Sequence, residues 1–212
     1  MEIRSLFDLS HSMAGEYLSR FLYPWDAMEG LSDWIAEKQK RLSADYREIS
    51  RGVFVHQTAT VAPTACLQPP CIVGARSELR HGAFIRGSVI IGADCVVGNS
   101  TELKNAILFD GAQLPHFNYA GDSVIGYRAH MGAGAIASNV RLDKAPVRIR
   151  VGESILETGR KKLGAMVGDF AEIGCHTVLN PGTVVGRRAA VYPLSCVRGS
   201  IDEGGIFDTD RR

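Results

Sequence analysis

One rule constrains this chain more than any other: from residue 55 an apolar residue returns at every sixth position. Val55, Val61, Leu67, Val73, Leu79, Ile85, Ile91, Val97, Leu103 and Phe109 obey it, and a second run repeats it at Val167, Ile173, Leu179, Val185, Val191 and Val197. Six is neither a helical return nor a long-strand alternation. It calls for very short extended segments joined by turns, stacked as a repeat. Small residues recur four places after the apolar one, as at Ala59, Ala65, Cys71, Ser77 and Ala83, then Ala171, Thr177, Thr183, Ala189 and Ser195. Glycine often follows it directly, as at Gly74, Gly92, Gly98, Gly168, Gly174 and Gly186. Apolar residues pointing into a narrow core, with small residues at crowded corners, describe a flat-sided coil. Periodicity alone does not set its hand.

The two runs divide the chain. Residues 1–50 lie outside the rule and read as an N-terminal helical cap. Leu6, Phe7, Met13, Tyr17, Leu18, Phe21 and Leu22 suggest a first helix interrupted near Gly15; Asp26 and Glu29 form a capping-box pattern for a second, with Met28, Leu31, Ile35 and Leu42 as its apolar stripe. The coil is expected over 51–202, with irregular loops at about 112–124 and 138–162 and a flexible tail at 203–212. Counting on from Phe109 reaches Pro115 and Gly121, so an insertion or bulge is expected near PHFNYAGD. The second loop is locally basic: Arg141, Lys144, Arg148, Arg150, Arg160, Lys161 and Lys162 face only Asp143, Glu153 and Glu157.

The balance of 24 basic against 23 acidic residues gives no general attraction to nucleic acid or membrane. Residues 1–20 include Glu2, Asp8, His11 and Glu16 and lack the apolar core of a signal peptide, so a cytoplasmic location is expected. Five cysteines, Cys66, Cys71, Cys95, Cys175 and Cys196, are odd in number and lack paired metal spacing, which suits buried small thiols.

The repeat resembles that of hexapeptide left-handed β-helix proteins, most of which are trimeric acyltransferases that bind acyl-coenzyme A between adjacent helices. The motifs LRHGA, TELKNA, PHFNYAGDSVIG and HMGAGAIASN resemble, in order, the acetyltransferase domain of the bifunctional enzyme that makes UDP-N-acetylglucosamine. The corresponding domains of archaeal sugar-1-phosphate nucleotidylyltransferases are similar in kind. The glycine-rich, lysine-containing signature of their nucleotidyltransferase domain does not occur, so uridylyl transfer is not expected.

The resemblance implies an all-β, single-stranded left-handed parallel β-helix of about seven coils, assembled as a homotrimer. It implies acetyl-CoA as co-substrate and a small sugar phosphate with a free amine, glucosamine-1-phosphate-like, as acceptor. His116 falls on the catalytic base and Asn139 on the asparagine that orients the acetyl thioester. Arg80 and Lys104 fall on the phosphate-holding pair and Tyr119 on a sugar-phosphate contact. His130 takes the place of a sugar-contacting asparagine, and Lys144 lies near a lysine that reaches the neighbouring site. Gly132, Ala133 and Gly134 provide coil geometry, with Ala133 against the coenzyme. The usual CNYDG-like segment is SNVRLD here, which bears on the acceptor more than on acyl transfer. Two other readings stand beside this one: a non-catalytic β-helix scaffold, and a metal-dependent enzyme like the γ-class carbonic anhydrases, for which His81, His116, His130 and His176 lack an HxxxxH pair.

Overall fold

The structure, a computed structural model described over residues 1–209, is a parallel β-solenoid of hexapeptide repeats of the left-handed β-helix class. Each coil has three sides. Face 1 stacks Val53–His56, Cys71–Val73 and Val89–Ile91, then the C-terminal halves of Glu102–Leu108 and Tyr119–Ile125, then Met166–Val167, Val184–Val185 and Ser200–Ile201. Face 2 runs from Thr60–Val61 through Glu78–Leu79, Val96–Asn99, Gln113–His116, His130–Met131, Glu172–Ile173 and Ala190–Val191 to Ile206–Phe207. Face 3 carries Cys66–Gln68, Phe84–Arg86, the N-terminal halves of the two long strands, Ile136–Ala137, Val178–Leu179 and Cys196–Val197. Seven coils are therefore complete, and an eighth has two sides among the described residues. The expected tail at 203–212 is thus partly coil, since Ile206–Phe207 form its last rung; residues 210–212 lie outside the described residues.

The sixfold residues line one continuous core, and its small partners such as Ala83, Cys95, Ala112, Ala129 and Ala189 fill the corners. Phe109 is a correction to the series. The inward residue is Leu108, while Phe109 points out and stacks on Phe7 at 5.1 Å. No insertion occurs near PHFNYAGD either. The preceding coil turns from face 3 to face 1 through Gly87 and Ser88, both left-handed (φ 83° and 54°). The next two coils make the same turn through one left-handed residue each, Asn105 (φ 47°) and Asp122 (φ 51°). Asn and Asp tolerate this region better than other side-chain-bearing residues, so each corner loses a residue and the strand runs unbroken round it. Residues 112–124, expected as an irregular loop, follow the regular coil, with strands Gln113–His116 and Tyr119–Ile125 joined by the turn at Phe117 and Asn118.

The N-terminal segment covers a flank. It consists of short helices at Ile3–Leu6, Gly15–Leu18 and Leu31–Gln39 with 3-10 turns at Leu9–His11 and Pro24–Met28. The expected capping box is not used: the last helix begins at Leu31 behind Gly30, and Asp26 lies in a 3-10 turn. Phe7, Leu18, Trp25, Met28, Leu31 and Ile35 pack on the outward residues of face 1, namely Ile72, Ile90, Ile107, Val124, Met166 and Val184, all essentially buried. Each such side chain contributes about 1.5–3 kcal/mol of transfer free energy, which explains why face 1 is apolar on both sides. Asp169 pins the segment to the coil: its carboxylate accepts the Asp8 N–H at 2.6 Å and the Tyr127 N–H at 2.8 Å, and Arg187 approaches to 3.3 Å.

A second excursion leaves the coil after Asn139. The chain bridges Val140 to Lys162, and between them Arg148–Val151 and Ser154–Glu157 form an antiparallel hairpin. Val147 and Ile149 are fully buried on its inner side and approach Gly182, so the hairpin lies along the corner between faces 3 and 1. Among the described residues no helix is long and apolar enough to cross a membrane.

Candidate functional site

Face 3 brings several of the expected residues together. On consecutive rungs Glu102 pairs with Tyr119 and Lys104 with Gly121. Gly121 has no side chain, and that gap is occupied by its neighbours. A Cβ there would lie 2.3 Å from the Tyr119 hydroxyl oxygen and 2.9 Å from Asn139 Nδ2. Tyr119, Asn139 and Lys104 therefore surround one bare backbone position. Burial pushes the Tyr119 phenol above its ordinary value, and the nearby Asp122 and Glu102 carboxylates push it the same way, so it keeps its proton at neutral pH. Arg86 donates to Glu102 at 2.7 Å, whereas Lys104 on the same face has no ion-pair partner among the described residues.

His116 stands at the opposite corner of face 3. It ends the face 2 strand Gln113–His116 opposite Asn99, with exposed Phe117 (φ 52°) making the turn. Asn118 holds that turn by accepting the His116 N–H at 3.1 Å and donating to the Gly132 carbonyl at 2.8 Å. His116 is itself exposed. Three strand residues, Tyr119 to Gly121, separate its corner from that of Asn139, about 10 Å at roughly 3.3 Å per residue. Within one chain the two are thus not in contact.

The other expected residues are spread out. Arg80 lies at the same corner as His116 two rungs earlier and binds Glu78 at 3.0 Å. It is on the layer next to Lys104 and on a neighbouring face, as the spacing of 24 residues implies. His130 is on face 2, its Nδ1 3.0 Å from Glu172. Ala133 accepts the His176 N–H at the His116 corner one rung on. Lys144 sits exposed in the excursion with a left-handed backbone (φ 57°). Of the cysteines, Cys71 and Cys95 are buried, but Cys66, Cys175 and Cys196 are exposed, which corrects the expectation that all are buried thiols. Among the described residues no group of three His, Cys, Asp or Glu could hold a metal ion.

Beside Asn139 opens a pocket of about 710 Å³ between the hairpin and the coil. Ser138, Asn180 and Pro181 form its coil wall, and Arg141, Arg148, Arg150 and Arg198 give it positive charge. Two of these are engaged: Arg141 holds Asp143 well below the usual carboxylate range, and Arg148 pairs with Glu157 at 2.9 Å. Arg150 and Arg198 are exposed and have no ion-pair partner among the described residues. Arg198 and Asn180 could not be read as neighbours of the loop from sequence, because the hairpin's path along the corner places them there.

The sequence profile of the GMPPB C-terminal domain matches residues 67–157. A bifunctional sugar-1-phosphate nucleotidylyltransferase/acetyltransferase of Sulfurisphaera tokodaii is 32% identical over 125 residues, covering 59% of this chain and 31% of that protein. The bifunctional protein GlmU of Methanococcus maripaludis strain S2 is 27% identical over 172 residues, covering 80% and 42%. An uncharacterized acetyltransferase, YaiX, of Escherichia coli O6:K15:H31 is 32% identical over 151 residues, covering 63% and 66%. The chain thus spans less than half the length of the first two relatives. Among solved structures, the acetyltransferase domain of PglB from Neisseria gonorrhoeae superposes with a TM-score of 0.38 at 17% identity, covering 81% of this chain and 62% of that one.

Proposed function

We propose that this hexapeptide-repeat β-helix protein, a relative of the GMPPB C-terminal domain and of archaeal sugar-1-phosphate acetyltransferases, transfers an acetyl group from acetyl-CoA to the amine of a sugar phosphate. The observation that carries the reading is the gathering of Lys104, Tyr119 and Asn139 round the bare Gly121, beside an arginine-lined pocket. A mobile ammonium and a phenol proton suit a phosphate or carbonyl oxygen on face 3. The pocket of Arg150 and Arg198 suits the phosphates of the coenzyme, leaving the thioester to reach towards Asn139.

In this reaction the acceptor amine attacks the thioester carbonyl and gives its proton to His116. The tetrahedral intermediate collapses, the C–S bond breaks and the coenzyme leaves as the thiol, taking a proton back from His116. General-base help of this kind contributes about 10²–10⁴ in rate. Since His116 and Asn139 occupy opposite corners of one face, a groove completed by a neighbouring copy brings both kinds of group to one substrate. A trimer is the assembly this reading requires. Face 1 is closed by the N-terminal segment, so neighbours pack at the corner of faces 2 and 3, where Phe117 and Leu194 are exposed.

The test is a panel of amino-sugar phosphates incubated with acetyl-CoA and scored by mass spectrometry. The expected result is an acetylated product of one amino sugar that resists hydroxylamine, as an amide does. A hydroxylamine-labile product would move the acceptor atom to oxygen, and no acetylated product would count against the reading.

A further inference from the structure

Three successive coils place a polar residue at the corner between faces 3 and 1: Asn105, Asp122 and Asn139, each 17 positions after the last. Asp122 is only 6% exposed and its carboxylate is held by two amides, Asn105 Nδ2 on Oδ1 at 2.8 Å and Asn139 Nδ2 on Oδ2. An ionised carboxylate accepts hydrogen bonds and donates none, so the nitrogen of each amide, not its oxygen, must face Asp122. This settles which way Asn139 points. Its nitrogen also lies beside the Tyr119 hydroxyl oxygen, the two atoms sharing the space over Gly121. With that nitrogen turned inward between Asp122 and Tyr119, the carbonyl oxygen is the atom of the Asn139 amide left for a ligand. An amide N–H beside the Tyr119 oxygen favours a hydroxyl proton turned away from Asn139, on the face that carries Lys104.

We infer that Asp122 is a positioning residue: it fixes the Asn139 amide, and through it aims the Tyr119 hydroxyl proton at a ligand oxygen beside Lys104. The donor to the ligand is then the Tyr119 hydroxyl rather than the Asn139 amide. The inference rests on the acyl-transfer reading for the identity of the ligand but not for the relay itself. An amide at position 122 would accept from one neighbour and donate to the other, and Asn139 would then be free to flip. The ionisable or charged groups around the phenol are Asp122, Glu102 with its partner Arg86, and Lys104 on the adjacent rung.

Asp122→Asn, Tyr119→Phe and the double variant test this in the full chain. With 13C-tyrosine labelling, the Tyr119 ring-carbon signal is identified by its loss in Tyr119→Phe and followed against pH. Asp122→Asn removes the carboxylate charge that raises the Tyr119 pKa; that loss outweighs the release of the Asn139 N–H, which acts the other way, so the pKa is expected to fall. If that variant does not fold, Asn139→Ser replaces it; loss of the N–H that favours the phenolate is expected to raise the Tyr119 pKa. In turnover, Asp122→Asn is expected to lose about tenfold in kcat and Tyr119→Phe about a hundredfold, with the double variant no worse than Tyr119→Phe. A Tyr119 titration unmoved by either substitution overturns the inference, as do losses that multiply in the double variant. Absence of turnover in the wild-type protein would overturn the acyl-transfer reading, while the titration would still decide the relay.

Discussion

Gly121 and Gly98 are both glycines on tightly stacked rungs, yet a methyl group added to each meets a different obstacle. At Gly98 a Cβ would fall 1.4 Å from the carbonyl oxygen of Pro115, which is backbone and cannot step aside. Gly98→Ala is expected to destabilise the protein by about 3 kcal/mol or more, read as a fall in the denaturant midpoint. At Gly121 the obstacles are the ends of two side chains, Tyr119 and Asn139, so Gly121→Ala is expected to keep the midpoint within about 1 kcal/mol while abolishing turnover. The thiols divide in a similar way. Burial pushes Cys71 and Cys95 up to about 12, whereas Cys66, Cys175 and Cys196 are exposed. A thiol reagent at neutral pH is expected to modify those three in the folded protein and the remaining two only after unfolding. At this scale the motifs of the sequence point to Tyr119, Asn139 and Lys104, and the structure brings these three to one face. The sequence was silent about Asp122, whose importance comes from a 17-residue recurrence with Asn105 and Asn139 that a search for sixfold spacing passes over.

The elements that interrupt the repeat do different jobs. The corners at Asn105 and Asp122 shorten the coil by one residue each, which turns what reads as an insertion into a deletion and moves the inward position from Phe109 to Leu108. Phe109 is thereby released to the outside, where Phe7 of the N-terminal segment stacks on it. Phe7→Ala is expected to cost about 3–5 kcal/mol in denaturant unfolding, far more than removal of an ordinary surface aromatic. A cost under about 1 kcal/mol would mean that the segment is not integral to the coil. The helical character of this segment was legible from its apolar residues, but its docking on face 1 was not. That surface is built from Ile72, Ile90, Ile107 and Val124, which lie between the sixfold positions and read simply as strand residues. The hairpin at 148–157 was equally hidden, since its charged residues dominate a stretch whose buried members, Val147 and Ile149, are few.

At the scale of the whole molecule, the coil presents three faces and the N-terminal segment removes one of them from use. The open surface includes the corner of faces 2 and 3, with Phe117 at 61% and Leu194 at 77% exposure, and the arginine-lined pocket on the far side of face 3. If copies associate through that corner, Phe117→Glu combined with Leu194→Glu is expected to convert the assembly to single chains in light scattering. An unchanged mass would place the contact elsewhere. Acyl transfer by a site that needs His116 is read out by thiol release from acetyl-CoA in the presence of an amino-sugar phosphate. Acceptor-dependent release by the wild-type protein is expected, with a loss of about a hundredfold or more in His116→Ala at unchanged assembly mass. Release that does not depend on an acceptor, or that His116→Ala leaves intact, would contradict the acyl-transfer reading.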